Sequence, residues 1–118
     1  MTGRIVARKL YELALKLVER GVKKVIIGEI IKRVGPGVPD NMPEINEEIK
    51  KANDYLLVTL HQQDKPELWF WRHKNVWNSS LNIYDKDGIH MNRLGDERIY
   101  RSIRGAIFRF VREIKDKL

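Results

Sequence analysis

The 118-residue chain reads as an α/β protein built around a short parallel sheet. Two observations predict that class. Apolar residues recur at helical spacing in three long segments, and between them lie short apolar runs that do not alternate with polar residues. A strand that is apolar on both faces must be covered on both faces, as strands of parallel sheets are. Strands separated by a helical segment need a crossover connection, which makes their pairing parallel.

Val6, Leu10, Leu13, Ala14, Leu17 and Val18 predict a helix over 4–20, with Gly21 where a left-handed C-cap is needed. Lys24 to Gly28 predicts the first strand. Arg33 to Pro43 is dense in Gly and Pro and predicts a loop. Asn41 followed by Glu44 resembles a capping box, and Pro43 suits a first helical turn. The helix that follows carries Ile45, Ile49, Ala52, Leu56 and Leu60 on one face and ends near Gln63. Glu67 to Trp71 predicts the second strand. Residues 72–89 are irregular, with Trp77, Leu81, Ile83 and Tyr84 as anchors, and loops of this length in a compact domain are usually functional. The last helix is expected from Arg93 to Lys115, burying Ile99, Ile103, Ile107, Phe110 and Ile114.

Two parallel strands leave apolar edges open. The order helix, strand, helix, strand, loop, helix therefore predicts half of a three-layer α/β domain, with an uncovered apolar edge near Val25–Ile27. No repeat, low-complexity tract or linker interrupts it, so residues 1–118 read as one incomplete domain.

Composition narrows the class further. Hydrophobic residues at 42% and charged residues at 33% suit a globular chain rather than a disordered one. The chain has no cysteine, which excludes disulfides and thiolate metal sites and fits an intracellular, cytoplasmic setting. No apolar run approaches the roughly 20 residues of a membrane span, and Met1 to Arg8 lacks a secretory pattern. The formal charge of +7 permits a polyanionic partner. Acids nevertheless alternate with bases in nearly every segment, which favours a solvated basic surface. Asn78-Ser79-Ser80 matches a glycosylation acceptor, a pattern common by chance and without meaning unless the chain is secreted.

Chemistry concentrates in Tyr84-Asp85-Lys86-Asp87-Gly88-Ile89-His90-Met91-Asn92-Arg93-Leu94-Gly95, between an irregular loop and a helix start. Asp87 and His90 stand three apart, and Gly88 permits a tight turn between them. A carboxylate bonded to one imidazole nitrogen fixes the tautomer and leaves the other nitrogen as a base. Asn92 is placed to N-cap the last helix. A bland reading, in which Asp87 and His90 merely sit in an exposed turn and cap that helix, competes with this one. Calcium does not fit. An EF-hand loop through Gly88 would need an acid at Ile83 and a Glu at Leu94. His61, His73 and His90 have no zinc-ligand spacing, so neither metal nor cofactor is expected.

Asp87-Gly88-Ile89-His90-Met91-Asn92-x-x-Gly95 before a helix resembles the last block of SGNH/GDSL-type hydrolases. Leu10–Glu29 and the helix and strand at 44–71 are similar to that family's successive units. Trp69-Phe70-Trp71-Arg72-His73 and Tyr100–Ala106 are similar to a subgroup sometimes carried in retroelement-encoded proteins of animals. The resemblance implies a flavodoxin-like α/β/α sandwich and serine-dependent hydrolysis of a small ester or acyl substrate. His90 would be general base and Asp87 its orienting acid. The family's Gly-Asp-Ser nucleophile block and its oxyanion-hole Gly and Gly-x-Asn-Asp blocks are absent from these residues, and Met1 falls just after the place of the last of them. Ser79, Ser80 and Ser102 stand in the wrong order to replace the nucleophile.

Loss of a triad serine removes roughly 10⁶-fold in rate, and each missing oxyanion donor roughly 10²–10³-fold more. The chain alone is therefore expected to be inert, with a missing N-terminal half completing the site.

The alternative is a non-catalytic nucleic-acid-binding module of the same fold. Trp69, Trp71, Trp77, Arg72 and Lys74 form an aromatic–basic cluster of the kind that stacks bases, although packing under the flanking helices explains all of them and is the favoured reading. Trp69 and Trp71 should face one side of their strand, Leu68 and Phe70 the other. The last helix carries Arg98, Arg101, Arg104, Arg109, Arg112, Lys115 and Lys117, diluted by Asp96, Glu97, Glu113 and Asp116, which favours a solvated face over a phosphate-binding one. His73 reads as a solvated loop residue in preference to a cleft-lining one.

Overall fold

The computed structural model describes residues 2–34, 38–63, 65–74, 76, 83–84 and 90–116. Among these the protein is mixed α/β, with three helices and a two-stranded parallel sheet: α1 (Gly3–Glu19), β1 (Val25–Gly28), α2 (Met42–Gln62), β2 (Leu68–Trp71) and α3 (Arg93–Asp116). The chain divides into two compact units. The first comprises Met1–Arg33 with Pro39–Trp71, and the second Val34–Val38 with Arg72–Leu118.

In the first unit β1 and β2 pair in parallel, Val25 opposite Leu68 through Gly28 opposite Trp71. Alternation along β2 is as its pleat requires. Leu68 is buried in the core and Phe70 packs against it, while Trp69 and Trp71 are half-buried. Ala7 and Ala14 of α1, Ile27 of β1, and Ala52, Leu56 and Leu60 of α2 complete that core. α1 ends as its sequence predicts. Gly21 has φ 99°, its N–H bonds the Val18 carbonyl at 3.0 Å, and Val22 N–H bonds the Leu17 carbonyl at 3.0 Å. These are the paired bonds of a Schellman stop, which only a residue tolerant of positive φ can make cheaply.

Among the described residues β1 pairs only with β2. Its second edge therefore has no strand partner among these residues, while Ile27 is buried and Val25 and Ile26 are half-buried. An open apolar groove runs beside it, lined by Leu10, Leu13, Ala14 and Leu17 of α1 and by Val25–Ile30, with no residue of β2. Leu13 is 55% exposed at its rim.

Two expectations are corrected. Asn41 stands at the start of α2, but its side chain makes no capping hydrogen bond. Its backbone (φ −87°, ψ 12°) is near-helical rather than extended, so the amide is not carried over the helix end as a capping box requires. The face of α3 is the second. Ile103, Ile107 and Ile114 are exposed, Ile99 and Phe110 half-buried, and the fully buried positions are Gly95 and Ala106. Gly95, Ile99, Ser102, Ala106, Phe110 and Glu113 make up the inward row. Its smallest members set how the helix is turned, Gly95 by its close approach to Ile83.

Candidate functional site

In the second unit, Tyr84 and Met91 form an antiparallel bridge that brings together the two ends of the chemically distinctive block. Asn92 secures the junction four ways. Its N–H bonds the Ile83 carbonyl at 2.9 Å, and its Nδ2 donates to the Tyr84 carbonyl at 3.4 Å. Its Oδ1 accepts from Gly95 N–H at 3.0 Å, and its carbonyl accepts from Asp96 N–H at 2.9 Å. Asn92 is thus the N-cap expected for α3, satisfying an end N–H that no helix carbonyl can reach. Gly95 is required by space. A Cβ there would collide with the Ile83 carbonyl oxygen and sit 2.9 Å from Met91 Cβ. The Asn-x-x-Gly pattern therefore has a local cause: one residue caps, the other lets the helix approach the segment it caps.

His90, just ahead of Met91, is exposed. Asp87, together with Asp85, Lys86, Gly88 and Ile89, lies outside the described residues. The same holds for Trp77, Leu81 and Asn78-Ser79-Ser80. Of the anchors expected in the long loop, Ile83 and Tyr84 are buried, and so is Val76, which sequence reasoning passed over.

A contact between two residues read as bland stands out in the same unit. His73 Nδ1 and Ser102 Oγ lie 2.8 Å apart in a partly buried setting. His73 follows β2 and Ser102 belongs to the inward row of α3, so 29 residues of sequence separate them. No local pattern signals such a pair.

The first unit holds other polar features absent from the sequence reading. Asn53, on α2, brackets Ile30: Ile30 N–H donates to its Oδ1 and its Nδ2 donates to the Ile30 carbonyl, both at 2.8 Å. Asn46, two turns earlier, brackets Arg33 in the same way at 3.0 and 2.7 Å. The seven-residue spacing puts both amides on one face of α2, and together they hold the strand-like segment that leaves β1. A pair of asparagines two turns apart in an otherwise amphipathic helix was the available signal. Glu29 sits in this segment, only 5% exposed, and its N–H bonds the Trp71 carbonyl at 2.8 Å. It lies at the carboxyl end of the parallel strands, where α/β folds place ligands.

Lys24 lies 3.3 Å from the centroid of the Trp69 ring and its ammonium also donates to the Pro66 carbonyl. One face of that tryptophan is thus engaged within the first unit. Glu48 of α2 accepts from Gly3 N–H at 2.7 Å, a carboxylate supplied from another helix to the start of α1, whose own first turn has no acid. That bond holds the Glu48 carboxyl below its ordinary value, with Lys51 adding to the effect and partial burial opposing it.

Among the described residues no cluster of three or more His, Asp or Glu could hold a metal ion, and no helix is long and apolar enough to cross a membrane. The chain matches no protein-family model, no curated protein and no solved structure at a significant level.

Proposed function

We propose that residues 1–118 are the C-terminal part of an SGNH-type hydrolase domain, a partial three-layer α/β/α sandwich that acts on small ester or acyl substrates once completed. In the complete domain a serine from outside these residues attacks the carbonyl carbon. His90 takes its proton and returns it to the leaving group, and Asp87 fixes the ring that does so. The observation that supports this reading is the start of α3, where the described residues His90 to Gly95 of the distinctive block lead into the helix. Asn92 and Gly95 make the close junction described above, and His90 stands exposed beside it. The second edge of β1, without a strand partner among the described residues, and the apolar groove beside it support the incompleteness, since an exposed strand edge invites further chain to pair with it.

The test is hydrolysis of a p-nitrophenyl ester by a domain completed with an upstream half that carries a Gly-Asp-Ser block. H90A should lower the rate by roughly 10⁴-fold or more, on the scale of triad losses elsewhere, and D87N should follow it. Full activity in completed H90A overturns the assignment.

A further inference from the structure

We propose that Ser102 and His73 form a second, self-contained nucleophile centre that accepts an activated acyl or phosphonyl group, separate from the Asp87–His90 block. Both residues belong to the second unit, and Ser102 Oγ lies 2.8 Å from His73 Nδ1. A serine hydroxyl is a weak nucleophile because it keeps its proton at neutral pH. A neutral imidazole within hydrogen-bond reach removes that proton as the oxygen attacks. With the ring hydrogen on Nε2, Nδ1 is the acceptor and the Ser102 hydroxyl donates to it.

The surroundings favour the reaction in two ways. Ser102 is half-buried on the inward row of α3, with Ile99 and Ala106 one turn to either side. Partial exclusion of water strengthens the hydroxyl–imidazole bond. Arg98 is four residues before Ser102 and Arg109 seven after it, so both guanidinium groups belong to the same strip of the helix. Glu113 shares that strip, and the excess of positive charge over it favours the negative charge that develops on the carbonyl or phosphoryl oxygen under attack. The ligand class is therefore an ester or phosphonyl compound whose leaving group departs as a stable anion. With a fluorophosphonate, Ser102 Oγ bonds to phosphorus and the phosphorus–fluorine bond breaks, fluoride carrying off its electron pair. The Oγ proton passes to His73 Nδ1 and then to solvent.

The experiment uses the 118-residue chain with a fluorophosphonate probe, followed by intact mass and peptide mapping. The expected result is one adduct on Ser102, absent in S102A and slowed by about 10²-fold or more in H73A and H73Q. Far-ultraviolet circular dichroism checks that each variant keeps its helices. S102C gives an independent reading, since His73 should accelerate its alkylation by iodoacetamide and S102C/H73A should lose that acceleration. No adduct on Ser102, or an adduct formed at the same rate without His73, overturns the proposal. Because this chain has no Gly-Asp-Ser block, that failure would leave His90 in the completed domain untouched, and the converse also holds.

Discussion

The two units deal with their apolar residues in opposite ways. In the first, α1, α2 and both strands converge on one cluster in which Leu56 and Ala7 are fully buried and Leu60 and Leu68 nearly so. In the second, the inward row of α3 runs through Gly95, Ser102 and Ala106, while Tyr100, Ile103, Ile107, Val111 and Ile114 remain exposed. Both helical faces have the spacing that marks an amphipathic helix. The contrast shows that periodicity identifies a helix without deciding how it is turned. Rotation is set where backbones come closest, and at α3 that point is Gly95 against Ile83. Small residues win the contact because only they permit it.

Substitutions can break or sharpen this contrast. Leu56→Ala should be the most damaging, lowering the stability of the first unit by about 2–5 kcal/mol through lost burial and the cavity left behind. Ile107→Ala, at a position 53% exposed, should change stability by no more than about 0.5 kcal/mol. Urea unfolding of both variants checks the pair, and equal costs would erase the distinction between the units.

Polar brackets come next. Asn53→Ala strips the partners from Ile30 N–H and C=O at a site 2% exposed, and should cost about 1–3 kcal/mol. Asn46→Ala removes the same two bonds where water can replace them, and should cost less. Equal unfolding midpoints for these variants would mean that burial does not separate the two brackets. Gly95→Ala should cost a comparable 1–3 kcal/mol, about the usual strain of overpacking. Unlike the asparagine changes, it should speed amide exchange at the start of α3 while sparing α1 and α2.

Glu48→Gln should have the smallest effect, a loss of stability present above about pH 4.5 that fades as the medium becomes acid. A carboxyl held below its ordinary value of 4.5 stabilises the fold above that pH, and the contribution disappears as pH falls through the lower, folded value. The wild type should therefore lose stability more steeply than the variant below about pH 4.5. Parallel pH profiles from thermal unfolding would show that the Gly3–Glu48 bond contributes nothing to folding.

The order and type of all five elements, the Gly21 stop, the Asn92 cap, the placing of Leu68 and Phe70 on the core side of β2 and the second edge of β1, without a partner among the described residues, were legible in the amino-acid order. Each arises from residues a few positions apart, whose mutual geometry is dictated by a single helix, strand or turn. The facing of α3, the bare Asn41, the two asparagine brackets, the Glu48 bond to Gly3 and the pairing of His73 with Ser102 were decided only in the folded chain. These depend on which residues from distant segments approach closely enough to touch, and that is a matter of volume and close packing between elements. No one-dimensional pattern encodes it.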